Sequence, residues 1–111
     1  MLREHQERWP ALCQFLGGYL HQDWPDVYGK PHLAIAAAVA EYPLSNRQQV
    51  AREWWNWNQS AGAVDDVRKQ AYSLGVCVSF NTPIDARHFM NSVYDRLVES
   101  IRIEVGRDWK P

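Results

Sequence analysis

Residues 82–106 read Thr-Pro-Ile-Asp-Ala-Arg-His-Phe-Met-Asn-Ser-Val-Tyr-Asp-Arg-Leu-Val-Glu-Ser-Ile-Arg-Ile-Glu-Val-Gly. Phe89, Val93, Leu97 and Ile101 recur every four residues, with Met90 and Tyr94 beside them, so a helix gathers them on one broad apolar face. The start is marked three times: Thr82 supplies a capping hydroxyl, Pro83 suits the first helical position, and Asp85 places an acid in the first turn. Gly106 marks the stop. One helix of roughly six turns needs other helices to cover its face, and the rest of the chain supplies them.

Leu12, Phe15, Leu16, Tyr19 and Leu20 form an i, i+3, i+4, i+7, i+8 stripe after Pro10, which predicts a helix over 10–20. Gly17 and Gly18 weaken that helix by about 1 kcal/mol each relative to Ala, so another element approaches closely there or the helix loosens early. Residues 21–30 lack a helical period and read as an irregular loop whose aromatics tuck back onto the core. A second helix is predicted over 31–42, from Pro31 to a stop before Pro43. A third begins at Ser45, with Gln48 completing a capping box, and runs through Trp54, Trp55 and Trp57 before Gly62. A fourth spans 64–74 and ends at Gly75, a residue suited to a left-handed position. Residues 76–80, Val-Cys-Val-Ser-Phe, favour β structure but have no partner strand in view, which makes them an extended connector. The expected architecture is an all-α, single-domain bundle of about five helices over residues 1–111 with short connections.

The chain has 111 residues, 46% of them hydrophobic, enough for one core. Its net charge of −1 opposes a phosphate-tracking surface, which needs clustered Lys and Arg. No apolar run of membrane-spanning length occurs, and the first residues carry acids where a signal peptide has bases, so a cytoplasmic location is expected. Cys13 and Cys77 lack a Cys-x-x-Cys spacing and read as buried thiols. His21, Asp23 and Asp26 carry acid/base and metal-ligand chemistry in principle, but with no His-x-x-x-His spacing they read as loop residues that bond neighbouring backbone. His21 is placed to donate to a terminal helix carbonyl, and Asp23 and Asp26 to cap the amides that start the next helix. No nucleophile motif or phosphate loop is present. The residues therefore indicate no catalytic group, no metal and no cofactor.

The segment from Phe15 to Trp24, Phe-Leu-Gly-Gly-Tyr-Leu-His-Gln-Asp-Trp, closes the first helix with a polar run and an indole. It resembles the hallmark of the immunity proteins of bacterial contact-dependent growth inhibition systems, a Gly-Tyr-(aromatic or Leu)-His-Gln-Asp-Trp segment. Asp26, Tyr28, Gly29 and Ile35-Ala36 fall where that family has an acidic, Gly-containing loop and an Ala-rich helix. The resemblance runs from about Trp9 to about Leu97 and includes a Leu-Gly-Val-Cys turn at 74–77. It implies a heterodimer with the C-terminal domain of a cognate toxin, many of which are basic nucleases, and no direct partnership with nucleic acid or membrane. It also makes His21, Gln22, Asp23 and Trp24 scaffold residues, with Trp24 largely buried against the first and last helices.

Three rings in four positions, at Trp54, Trp55 and Trp57, cannot all face one core. Trp54 lies four residues after Val50 and Trp55 four after Ala51, so both are expected inward. Trp57, which shares a face with Glu53, is expected to anchor the toxin, with the carboxylates of Glu53, Asp65, Asp66, Asp26 and Glu41 around it. A different class of function is a small nucleic-acid-binding or regulatory helical domain that stacks bases on the Trp run, and a third is a small enzyme built around His21 and Asp23.

Overall fold

A proline follows Trp9, and the backbone before a proline is pushed away from helical angles. Trp9 accordingly has φ −133° and ψ 63°, which separates α1 (Leu2–Arg8) from α2 (Pro10–Tyr19). In the computed structural model, which describes residues 2–111, five further helices follow: α3 (Trp24–Tyr28), α4 (Pro31–Glu41), α5 (Leu44–Gln59), α6 (Arg68–Tyr72) and α7 (Pro83–Val105). The protein is all-helical as expected, but it has seven helices among the described residues rather than about five. Neither α1 nor α3 was anticipated. In α1, Arg3 and Glu7 form an exposed i, i+4 pair that adds little, whereas His5 is buried with its ring edge-on to Trp9 at 5.0 Å. The single turn of α3 lies inside the span expected to be an irregular loop; Pro25 is accommodated in its first turn, where no amide donor is needed.

The core is built around α5, which packs against α2 on one side and α7 on the other, while α4 touches α2, α3 and α7. Leu12, Phe15, Leu16 and Leu20 from the α2 segment meet Ala34, Ile35 and Ala38 of α4, Val50, Trp54 and Trp57 of α5, and Met90, Val93 and Leu97 of α7. Thr82 caps α7 as its sequence implies, its hydroxyl accepting the Asp85 N–H at 3.1 Å. The expected Ser45 cap is not formed. Leu44 already belongs to α5, Pro43 precedes it without a side-chain cap, and the Ser45 hydroxyl turns to Asn46.

The helix expected over 64–74 is only α6, because the Asp66 carboxylate accepts the Arg68 amide at 3.1 Å and sets the start there. After α6 the chain turns at Gly75, whose φ of 92° is left-handed and whose absent side chain lets its backbone meet Gly17; a Cβ there would stand 3.2 Å from the Gly17 Cα. The close approach requires glycine at 75, whereas a Cβ at Gly17 would make an ordinary contact at 3.9 Å and one at Gly18 would meet nothing within 4 Å. The connector 76–80 is extended, with Val76 and Phe80 buried and Cys77 and Ser79 exposed, and it is tied to the end of α2 by Cys77 N–H donating to Leu20 C=O at 2.8 Å.

Candidate functional site

On α5, Val50, Trp54 and Trp57 follow at i, i+4 and i+7, two turns of one face, and Ala51 lies beside them. All four are buried, Trp57 completely. The expectation that Trp57 faces outward is therefore corrected: its place two turns after Val50 outweighs its nearness to Glu53. The outward ring is Trp55, 48% exposed, one residue and about 100° round the helix from Trp54. Trp55 leans on Tyr94 of α7 at 6.1 Å, Tyr94 stacks on Trp54 at 4.3 Å, and Trp54 meets Trp57 at 6.1 Å, so the aromatic series runs from core to surface.

Glu53 is the second correction, being 9% exposed. Its carboxylate accepts the Leu12 N–H at 3.0 Å and the Gln49 side-chain amide at 2.9 Å. Leu12 lies in the first turn of α2, where amides have no partner within the helix, and Trp9 offers that turn no side-chain cap. An acid on α5 thus caps α2, assisted by Asn56, which accepts the Trp9 indole N–H at 3.1 Å. Arg47 is likewise internal: it donates to the Tyr42 carbonyl and the Ser100 hydroxyl and pairs with Glu104.

The remaining acidic candidates are exposed but do not form one site. Asp26 is on α3, and Glu41 at the end of α4 accepts the Tyr19 hydroxyl. Burial, followed by that bond and the adjacent carboxylate, raises the Tyr19 phenol above its ordinary range. Asp65 and Asp66 lie between α5 and α6, and the Arg68 guanidinium and amide that bond Asp66 hold its carboxyl below the ordinary value.

The polar motif makes local contacts that differ from those expected. The His21 ring accepts the Asp23 N–H at 3.1 Å instead of donating to a carbonyl. Asp23 precedes α3 without a side-chain cap, and Gln22 is exposed. Trp24 is half-buried rather than largely buried; it packs at the edge of the core, with its indole N–H donating to the Cys77 carbonyl at 2.7 Å. The motif therefore fastens α3 to the connector.

Cavities mark the surface. One of about 730 Å³ lies beside α2 and is bounded by Cys13, Gly17, His21, Gly75 and Cys77. Another, about 450 Å³, lies between α4 and α7 beside Val39, Ala40 and the 69% exposed Ile103. A further cavity, about 340 Å³, is lined by Trp55, Tyr94, Arg102, Lys110 and Pro111. The sequence reading places both of its rings inward, Trp55 beside Trp54 and Tyr94 on the apolar face of α7, and its cations come from the last turns of α7 and the tail. Among the described residues, no group of three or more His, Cys, Asp or Glu is arranged to hold a metal ion.

The two thiols differ, contrary to the expectation that both are buried: Cys13 is buried and Cys77 exposed. Desolvation, and then the charge of Glu53, push the Cys13 thiol up from 9.0 to about 11. At pH 8 its thiolate is then about one in a thousand, so a disulfide reagent should consume one thiol per native chain rapidly and the second only on unfolding. Two rapid equivalents would contradict this assignment. Because the folded value is the raised one, the corresponding stability is present below about pH 9 and is lost as pH climbs toward about 11.

Residues 8–97, most of the chain, match the family model described as CdiI immunity protein. The chain belongs to that family. No curated protein and no solved structure matches it.

Proposed function

From this membership we propose that the protein is the immunity partner of a contact-dependent growth inhibition toxin: it binds the toxin's C-terminal domain as a heterodimer in the cytoplasm and blocks its active site or substrate access. The family match over residues 8–97 carries the proposal. The fold is consistent with a binding role. Its polar core groups, Glu53 and Arg47, are engaged in holding helices together, and the His21 ring already accepts a backbone amide. The reading assigns this chain no catalysis and no cofactor. No helix among the described residues is long and apolar enough to cross a membrane. The toxin is proposed to be a basic nuclease, with Asp26, Glu41, Asp65 and Asp66 as exposed carboxylates that steer its approach.

Co-expression with a candidate cognate toxin C-terminal domain tests the proposal. The two should co-purify in a 1:1 ratio, and the complex should lack the nuclease activity of the free toxin. Toxin activity that persists at a molar excess of this protein would overturn the immunity assignment. Charge reversal at Asp26 and Glu41 should slow association, and the wild-type rate should fall with ionic strength. A rate indifferent to both would remove the steering role and leave inhibition standing.

A further inference from the structure

We propose that the cavity between α5, α7 and the C-terminal tail, floored by Trp55 and Tyr94, receives an acidic segment of the toxin domain that carries an apolar side chain at its tip. The inference rests on the immunity reading and names the surface through which it operates.

The first support is the ring itself. Trp55 is 48% exposed although other rings of the same run are sealed in the core, and it stands over Tyr94, which Trp54 holds from beneath by stacking at 4.3 Å. A ring braced in this way has little freedom left to lose on binding, a property of anchors that dominate interface energetics. The second support is charge. The cavity's cations are Arg102 and Lys110, and no Asp or Glu side chain lines it. Arg3, Arg47, Arg68 and Arg107 each pair with a carboxylate of this chain. Among the described residues, Lys110 and Arg52 make no ion pair, a state they share with Arg8, Lys30, Lys69, Arg87 and Arg96, and Arg52 is exposed one helical turn before Trp55. Arg102 uses its Nε to hold the Trp109 carbonyl at 3.0 Å, which packs the tail against α7 and brings Lys110 to the rim. Cations with no carboxylate in the cavity lining, beside an exposed, braced indole, fit a carboxylate-bearing, apolar-tipped segment.

The cationic half of the cavity also lies beyond residue 97, where the family match ends. A protein that must distinguish its own toxin from related ones needs contacts outside the common scaffold.

Trp55→Ala and Lys110→Glu test the assignment, because both side chains are surface groups and the fold should survive, as thermal denaturation of each variant would confirm. Titrated against the toxin C-terminal domain that the wild-type chain binds, Trp55→Ala should bind about thirtyfold more weakly. Lys110→Glu should associate several-fold more slowly, and that difference should shrink at high salt. Wild-type affinity in both folded variants would overturn the cavity assignment while the immunity function stood. Failure of the wild-type chain to bind any candidate toxin domain would overturn both. The same protein is titrated with a thymidine oligonucleotide. Micromolar binding that Trp55→Ala abolishes would make the rings a base-stacking platform and overturn the protein partner.

Discussion

Trp57→Ala is expected to lower the folding free energy by about 3–5 kcal/mol, the range for truncating a large aromatic residue in a core. The ring is fully buried and lies against the backbone of Gly62 so closely that a Cβ at that glycine would stand 3.0 Å from it. It also meets Trp54 within the contact between α5 and its neighbours. Removing it opens a cavity where the turn after α5 folds back, a turn held by Gly62 N–H donating to the Trp57 carbonyl at 2.8 Å. For a domain of this size the thermal midpoint should drop by more than about 10 °C. Trp57→Phe should lose much less, since it keeps an aromatic filler and gives up an indole N–H that is buried without a protein acceptor. Trp55→Ala should scarcely move the midpoint. The contrast is read by thermal or urea denaturation followed by circular dichroism. A Trp57→Ala midpoint equal to wild type would mean that the ring is not part of the core.

The two tryptophans show where sequence periodicity stops being sufficient. Relating each ring to an apolar residue one turn earlier selected Trp54 correctly and Trp55 wrongly, because Ala51 is buried at the edge of the face. A comparison over two turns links Val50, Trp54 and Trp57 and leaves Trp55 outside, which is the arrangement found. The α7 stripe was legible because it repeats for six turns and has its own capping hydroxyl; an error at one position cannot rotate such a helix. The single turn of α3 had no comparable signal. It is tied to the connector by a long-range bond, from the Trp24 indole to the Cys77 carbonyl, which no local pattern encodes. The resemblance carried by the His-Gln-Asp-Trp segment located the family, whereas the roles of its side chains became visible only with the connector in place.

Charge misled in the same way. Glu53 is expected beside a partner-facing Trp57 because the two share a helix face, yet it is buried where α2 offers an unpaired amide. Its substitution should have the second large effect. Glu53→Ala leaves the Leu12 N–H without its acceptor in a closed interior and removes packing volume, which together should cost about 3 kcal/mol. Glu53→Gln keeps the shape and one oxygen for Leu12. It loses the charge that favours the positive end of α2 and sets an amide donor against the donor of Gln49, unless Gln49 turns its oxygen inward. A cost of about 1–2 kcal/mol should result, because one charge-assisted bond becomes neutral. The Cys13 thiol offers an independent reading of the same replacement. Glu53 contributes to its elevation, behind desolvation, so Glu53→Gln should move the thiol's titration downward from about 11 without returning it to 9.0. Thiolate absorbance against pH measures that shift in the folded protein. If Glu53→Ala and Glu53→Gln are equally harmless in denaturation and the Cys13 titration does not move, the carboxylate does not cap α2, and the junction between α2 and α5 is held by apolar packing alone.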